Sequence, residues 1–178
     1  MNRLGIFVFV LILGCEHFEG ELLAPKEWIE IPGLEGRWDV PHTTDEPISI
    51  VKSTQAKEYR IVPRKGDVPG VVRFASIDGR IIGEYRDEKE GKPVRQGYIF
   101  RMEKSGDCFL VSVGQEITEQ MVNKYRLIAR AEKSLKTSLP TYVLNGTAAQ
   151  NRSALDALLK DPHFFPERPG LKICRVAN

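Results

Sequence analysis

Val71–Ile77, Asp78-Gly79 and Arg80–Arg86 constrain this chain more than any other stretch. Asp-Gly between two β-rich runs marks a two-residue hairpin, because a type I′ turn needs positive φ at both central residues. Such a turn also fixes the register. It sets Val72 opposite Tyr85, Phe74 opposite Gly83 and Arg73 opposite Glu84. The charged pair lies on one face and the apolar pairs on the other, so Val72, Phe74, Ile81 and Tyr85 form the expected inner face. A large ring across from Gly83 fills the space that the glycine leaves.

A second hairpin follows a mixed-charge stretch, Asp87–Lys92, which reads as a solvated loop. From Gly97 to Lys104 the pattern alternates, with Tyr98, Phe100 and Met102 on one face and Arg101 and Glu103 on the other. Ser105-Gly106-Asp107 reads as a three-residue turn, and Cys108–Val113 returns. That turn puts Cys108 on the inner face with Met102 and Leu110. Further strands are expected at Arg37–Val40, Ile48–Ser53, Lys57–Val62, Tyr125–Ala131, Thr141–Leu144 and Leu171–Val176. Thr118–Asn123 reads as one helical turn. The convincing helix starts at Asn145-Gly146-Thr147, with Thr147 as cap and Leu155, Leu158 and Leu159 as its apolar stripe. It runs to Lys160, and Pro162 stops it. The fold expected is mainly β: an antiparallel meander closed as a barrel, or packed as a sandwich, with one C-terminal helix and a final strand.

The N-terminus sets an address. Met1-Asn2-Arg3 is a short basic region, and Leu4–Leu13 is apolar except for Gly5. That run suits a signal peptide and is too short to span a bilayer. It ends Ile12-Leu13-Gly14-Cys15, which resembles the bacterial lipobox, in which the cysteine is lipidated and becomes the new N-terminus. The resemblance implies a removed leader at 1–14, a lipid-bearing Cys15 with a tether at 15–27, and one β-rich domain at 28–178. It places the chain in a bacterial envelope. Glu16, not Asp, follows the cysteine, which favours an outer over an inner membrane where there are two. The alternative is a plain secretory signal with an incidental cysteine.

With lipid on Cys15, Cys108 and Cys174 remain, an even number in an oxidising compartment. They are expected either as a disulfide closing a loop of 66 residues or as two free thiols. The formal charge of +2 and the 28% of charged residues show no basic run that suits nucleic acid. His17, His42 and His163 are scattered, with no metal-ligand spacing, no G-x-S-x-G and no phosphate loop. No cofactor, metal or catalytic residue is therefore assigned.

Gly36-Arg37-Trp38 resembles the G-x-W that opens the first strand of lipocalins. That resemblance implies an arginine of the last strand, here Arg175, packed across Trp38 at the barrel floor. The layout from Tyr98 to Val176 is similar to that of uncharacterised bacterial lipoproteins: a meander, a helix ending near Phe, and a closing strand ending near Arg. The expected function is non-enzymatic: binding of a small apolar or amphiphilic ligand, or of an envelope protein, at the membrane surface. In a hollow barrel Val72, Phe74, Tyr85, Tyr98, Phe100 and Met102 line the cavity. In a solid one they are core, and function moves to loops such as Asp87–Arg95. The competing class is an envelope enzyme with a site assembled from scattered loop residues.

Overall fold

The computed structural model describes residues 17–40, 47–62, 69–133 and 139–176. The leader, Cys15 and His42 lie outside these residues. Twelve strands follow in chain order: β1 (Phe18–Glu19), β2 (Gly36–Asp39), β3 (Ile48–Lys52), β4 (Glu58–Val62), β5 (Gly70–Ile77), β6 (Arg80–Lys89), β7 (Lys92–Pro93), β8 (Gln96–Ser105), β9 (Cys108–Val113), β10 (Ala129–Lys133), β11 (Pro140–Leu144) and β12 (Leu171–Arg175). Two α-helices are α1 (Glu119–Tyr125) and α2 (Ala148–Leu158).

Strands β2, β3, β4, β5, β6, β8, β9 and β12 form a closed antiparallel barrel of 8 strands. Closure is made by β12, which pairs with β9 on one side and β2 on the other. Of the two architectures expected, the barrel is the one formed. The Asp78-Gly79 turn has positive φ at both residues, 50° and 74°. It yields the expected register, with Val72 opposite Tyr85, Arg73 opposite Glu84 and Phe74 opposite Gly83.

The ring that fills the space over Gly83 comes from the other neighbour. Phe100 of β8 pairs with Gly83, and a Cβ there would stand 2.1 Å from the Phe100 ring. Any side chain at 83 would expel Phe100 from its place.

The second hairpin turns in two residues, not three. Ser105 pairs with Cys108, and only Gly106 and Asp107 lie between them. One residue of slip moves every side chain of a strand to the opposite face. Met102 therefore faces Val111, while Phe109 and Val111, not Cys108 and Leu110, join the inner cluster. Cys108 and Cys174 are directly paired across β9 and β12, with Cα atoms 4.0 Å apart, and they form the disulfide. The bond sits on the outer face of the wall.

Three further expectations are corrected. Residues 17–27 are not a tether. Phe18 and Glu19 form β1, paired antiparallel with β8 and parallel with β11, and Phe18, Leu22 and Leu23 are fully buried. The Asp87–Arg95 stretch is exposed from Lys89 to Pro93, as expected, but it is a hairpin instead of an open loop: β6 continues to Lys89 and turns back into β7. Finally, Tyr125 ends α1 instead of opening a strand. Arg126 caps it in the left-handed region, and β10 begins at Ala129.

The remaining helix agrees with the sequence. Thr147 caps α2 by accepting from the Gln150 amide, and Gln150 returns the bond to the Thr147 amide. Its buried stripe includes Leu155 and Leu158, which pack on the outside of the barrel.

Candidate functional site

Two regions could carry function, the lumen and the outer face of β4, β5, β6 and β8. All six residues expected in the lumen lie there. Val72, Phe74, Tyr85, Tyr98, Phe100 and Met102 belong to one buried cluster with Trp38, Tyr59, Phe109 and Val111. Phe74 meets the Tyr59 and Phe100 rings edge-on at 5.9 and 5.7 Å. Among the described residues, a cavity of about 20 Å³ lies between them, walled by Leu34, Ile61, Phe74, Phe100, Met102 and other apolar side chains. That is room for roughly one water, and an apolar lining gives a water nothing to bond. Small-molecule sites occupy several hundred Å³.

The lumen's polar atoms are satisfied at its ends. The Tyr85 hydroxyl donates to Asp87 at 2.8 Å. Burial, with the Asp87 carboxylate beside it, pushes that phenol well above its ordinary value. The Tyr59 hydroxyl accepts from the Ile31 amide at 2.8 Å, and Ile31 and Leu34 close this end of the barrel.

Trp38 and Arg175 form the floor. They are register partners on β2 and β12. The Arg175 guanidinium lies 5.4 Å from the Trp38 ring centroid and donates to the Gly33 and Glu35 carbonyls. Trp38 itself donates to the Leu34 carbonyl at 2.8 Å. The arginine thus staples residues 33–35 across the barrel end and covers the ring that closes it.

The outer face has a different chemistry. Glu84 and Arg86 alternate on β6, and Arg73 and Glu58 stand beside them on β5 and β4. Arg73 bridges Glu58 at 2.7 Å and Glu84 at 3.1 Å; Arg86 reaches Glu84 at 3.5 Å. Glu84 is 1% exposed and Arg86 7%. Burial pushes the Glu84 carboxyl up against the pull of Arg86 and Arg73, and burial likewise pulls Arg86 down. A second pair, Arg60–Glu88, extends the row at 2.8 Å.

The N-terminal segment covers this ladder. Leu23 donates its amide to Glu84, and Arg86 donates to the Gly20 carbonyl. Arg73 lies 4.3 Å from the Trp28 ring and Arg86 4.8 Å from the Phe18 ring. His17 is 2% exposed; its Nδ1 accepts from the Ile99 amide, and its own amide donates to Gly97. Gly97 permits this approach, since a Cβ there would stand 2.7 Å from the Phe18 ring. Glu27 ties the segment to α2 through Arg152 at 2.7 Å. Asn151 of α2 donates to the Glu19 and Glu21 carbonyls.

Of this ladder the sequence reading found only Arg73 and Glu84, through the hairpin register. The signal for the rest was present: Glu84, Arg86 and Glu88 recur at every second residue of one strand, so they share a face. What hid their burial is that their cover, residues 18–28, lies about sixty positions away in sequence (Leu23 to Glu84, a separation of 61).

His163 stands apart from both regions, its amide donating to the Asp161 carboxylate. Among the described residues, no group of three or more His, Cys, Asp or Glu is placed to hold a metal ion. None of their helices is long and apolar enough to cross a membrane. No family model matches the chain, and neither a curated protein nor a solved structure matches it.

Proposed function

We propose that this chain is a bacterial envelope lipoprotein, anchored through lipid on Cys15, that engages a protein partner with the outside of its barrel. The outer membrane is the favoured site in a two-membrane cell. The observation that carries this reading is the contrast between a lumen filled by apolar side chains, with a cavity that holds about one water among the described residues, and an outer wall already used to dock a chain segment. A barrel filled by its own side chains is a rigid platform, and binding then falls to its exterior.

The docked segment sharpens the geometry of anchoring. His17 is held by two backbone hydrogen bonds: its amide donates to Gly97 of β8, and its carbonyl accepts from Leu144 of β11. Only Glu16 separates it from Cys15, two steps along the chain, and an extended chain covers at most about 3.6 Å per residue. An anchor at Cys15 would thus have a leash of at most about 7 Å from the docked segment, and in this reading the wall around β1 and β11 faces the headgroups. One acyl chain binds a bilayer only marginally and reversibly, and a second or third makes the anchoring stable.

Cell fractionation of Cys15→Ala tests the anchor: the variant should move from the membrane to the soluble fraction. If it stays with the membrane, the anchor reading fails. Native mass spectrometry of the extracted full chain tests the second half. The protein should carry no tightly bound small molecule beyond its own acyl chains. A stoichiometric apolar ligand in the lumen would replace the partner-binding reading with a carrier.

A further inference from the structure

The barrel removes its own edges, but the sheet that continues from β8 does not. It runs β8–β1–β11–β10 and stops, and among the described residues no strand pairs with the far side of β10. The other end of the sheet is β7, two residues long and blunted by Pro93. β10 is five residues, Ala-Arg-Ala-Glu-Lys, with no proline.

The direction of its free backbone groups follows from its neighbour. Tyr142 and Leu144 of β11 donate their amides away from β10, to the Ile117 and His17 carbonyls. Asn145 donates towards it, to Ile128. In an antiparallel ladder, residues alternate between bonding the partner and facing outward. Ala131 and Ala129, which stand opposite Tyr142 and Leu144, therefore turn their N–H and C=O groups to the open side. Arg130 and Glu132 are the residues between and beyond, their side chains on one face, joined to each other and, for Arg130, to Glu19 at 3.4 Å.

We propose that this edge pairs with the same edge of a second copy, antiparallel, with Ala131 on the two-fold axis. The register is singled out by charge. Centred on Ala131, the two Ala131 residues exchange backbone hydrogen bonds, Ala129 meets the copy's Lys133, and Arg130 meets the copy's Glu132 twice over. A shift of two residues in either direction sets Arg130 against its own copy or Glu132 against its own, and directly opposed like charges destabilise a strand pair. The edge is thus self-complementary in one alignment, as an isologous contact requires. Five residues of edge bury less than a stable dimer needs, so the pairing is reversible and is best trapped covalently.

The test is disulfide trapping of the full-length chain. Ala131→Cys puts a thiol on the axis beside its own copy, and mild oxidation should give a cross-linked dimer on a non-reducing gel. Lys133→Cys, which the two-fold sets against Ala129, should cross-link several-fold less. Adding Arg130→Glu to Ala131→Cys should lower the yield several-fold, and adding Glu132→Arg to that pair should restore it. Equal yields at 131 and 133, or a charge swap that does not restore the dimer, would overturn the proposal.

Discussion

The inner and outer faces of the barrel wall bury comparable sets of large side chains by different rules. Inside, Trp38, Tyr59, Phe74, Phe100 and Phe109 fill the lumen, and the hydroxyls and the indole N–H find partners at its ends. Outside, the wall between β4 and β8 carries buried charge as well as apolar surface. Residues 17–28 and the helices α1 and α2 then close over it. The inner region depends on volume, the outer one on pairing buried charges with one another and with backbone groups of residues 20 and 23. This predicts that the two regions fail differently when they are cut.

The largest effects come from the lumen. Phe100→Ala should cost about 3–5 kcal/mol, the usual loss for a buried aromatic, read from denaturant unfolding. It should also enlarge the cavity enough for a small aromatic solute to raise the midpoint again. If the loss is under about 1 kcal/mol, the lumen is not tightly packed. A comparable loss is expected outside, but it should be repairable. Glu84→Leu removes the acceptor shared by Arg73, Arg86 and the Leu23 amide, a break that costs about 3–5 kcal/mol in buried pairs. Replacing both partners, Glu84→Leu with Arg86→Met, should recover most of it. No recovery in the double variant would mean that the ladder's value lies in its hydrogen bonds to residues 20 and 23, not in charge balance.

The segment itself comes next. Leu23→Ala should cost about 2–3 kcal/mol by the same cavity rule, and it should loosen residues 17–28 and α2 while leaving amide exchange in β3, β4 and β12 unchanged. Uniform acceleration would show one cooperative unit instead of two.

The smallest effect is set by pH. Burial works to raise the Glu27 carboxyl, but Arg152 and the Ala24 amide outweigh it and hold Glu27 below its ordinary 4.5. A depressed carboxylate contributes stability above its unfolded value and loses it as pH falls through the folded one. Below pH 4.5 the Glu27–Arg152 clamp should therefore weaken, by under about 1 kcal/mol because the pair is partly solvated. Glu84 has the opposite sign: burial raises it, so the fold favours its protonated form, and its contribution fades as pH rises beyond 4.5. Acid should thus loosen residues 25–28 first, seen as faster exchange after correction for intrinsic rates. Equal loosening in the lumen strands would contradict this.

The same contrast explains what could be read from the sequence. The lumen was legible because local signals specify it. Asp78-Gly79 fixes one register, strand alternation fixes the face, and Tyr98, Phe100 and Met102 then follow in step. The paired cysteines were legible by arithmetic, but their face was not. Ser105 could serve as turn or strand, and that one residue decides whether Cys108 looks in or out. The outer layer was largely hidden. Phe18, Leu22 and Leu23 show neither period 2 nor period 3.6, and they follow directly on a signal-like run, so they read as linker. Their partners, Ile99, Gly97 and Glu84, are supplied by the fold alone. The edge of β10 was hidden for a related reason, since α1 extends to Tyr125 and displaces the strand's start to Ala129.

Residues 17–28 are packed onto the barrel as part of the fold and do not merely lead up to it. Native-state amide exchange at His17, Gly20 and Leu23, whose N–H groups donate to Gly97, Arg95 and Glu84, tests it most directly. The structure predicts protection at these three positions close to that of Ile99 in β8. Exchange at the rate of an unstructured chain would contradict it and restore the flexible tether.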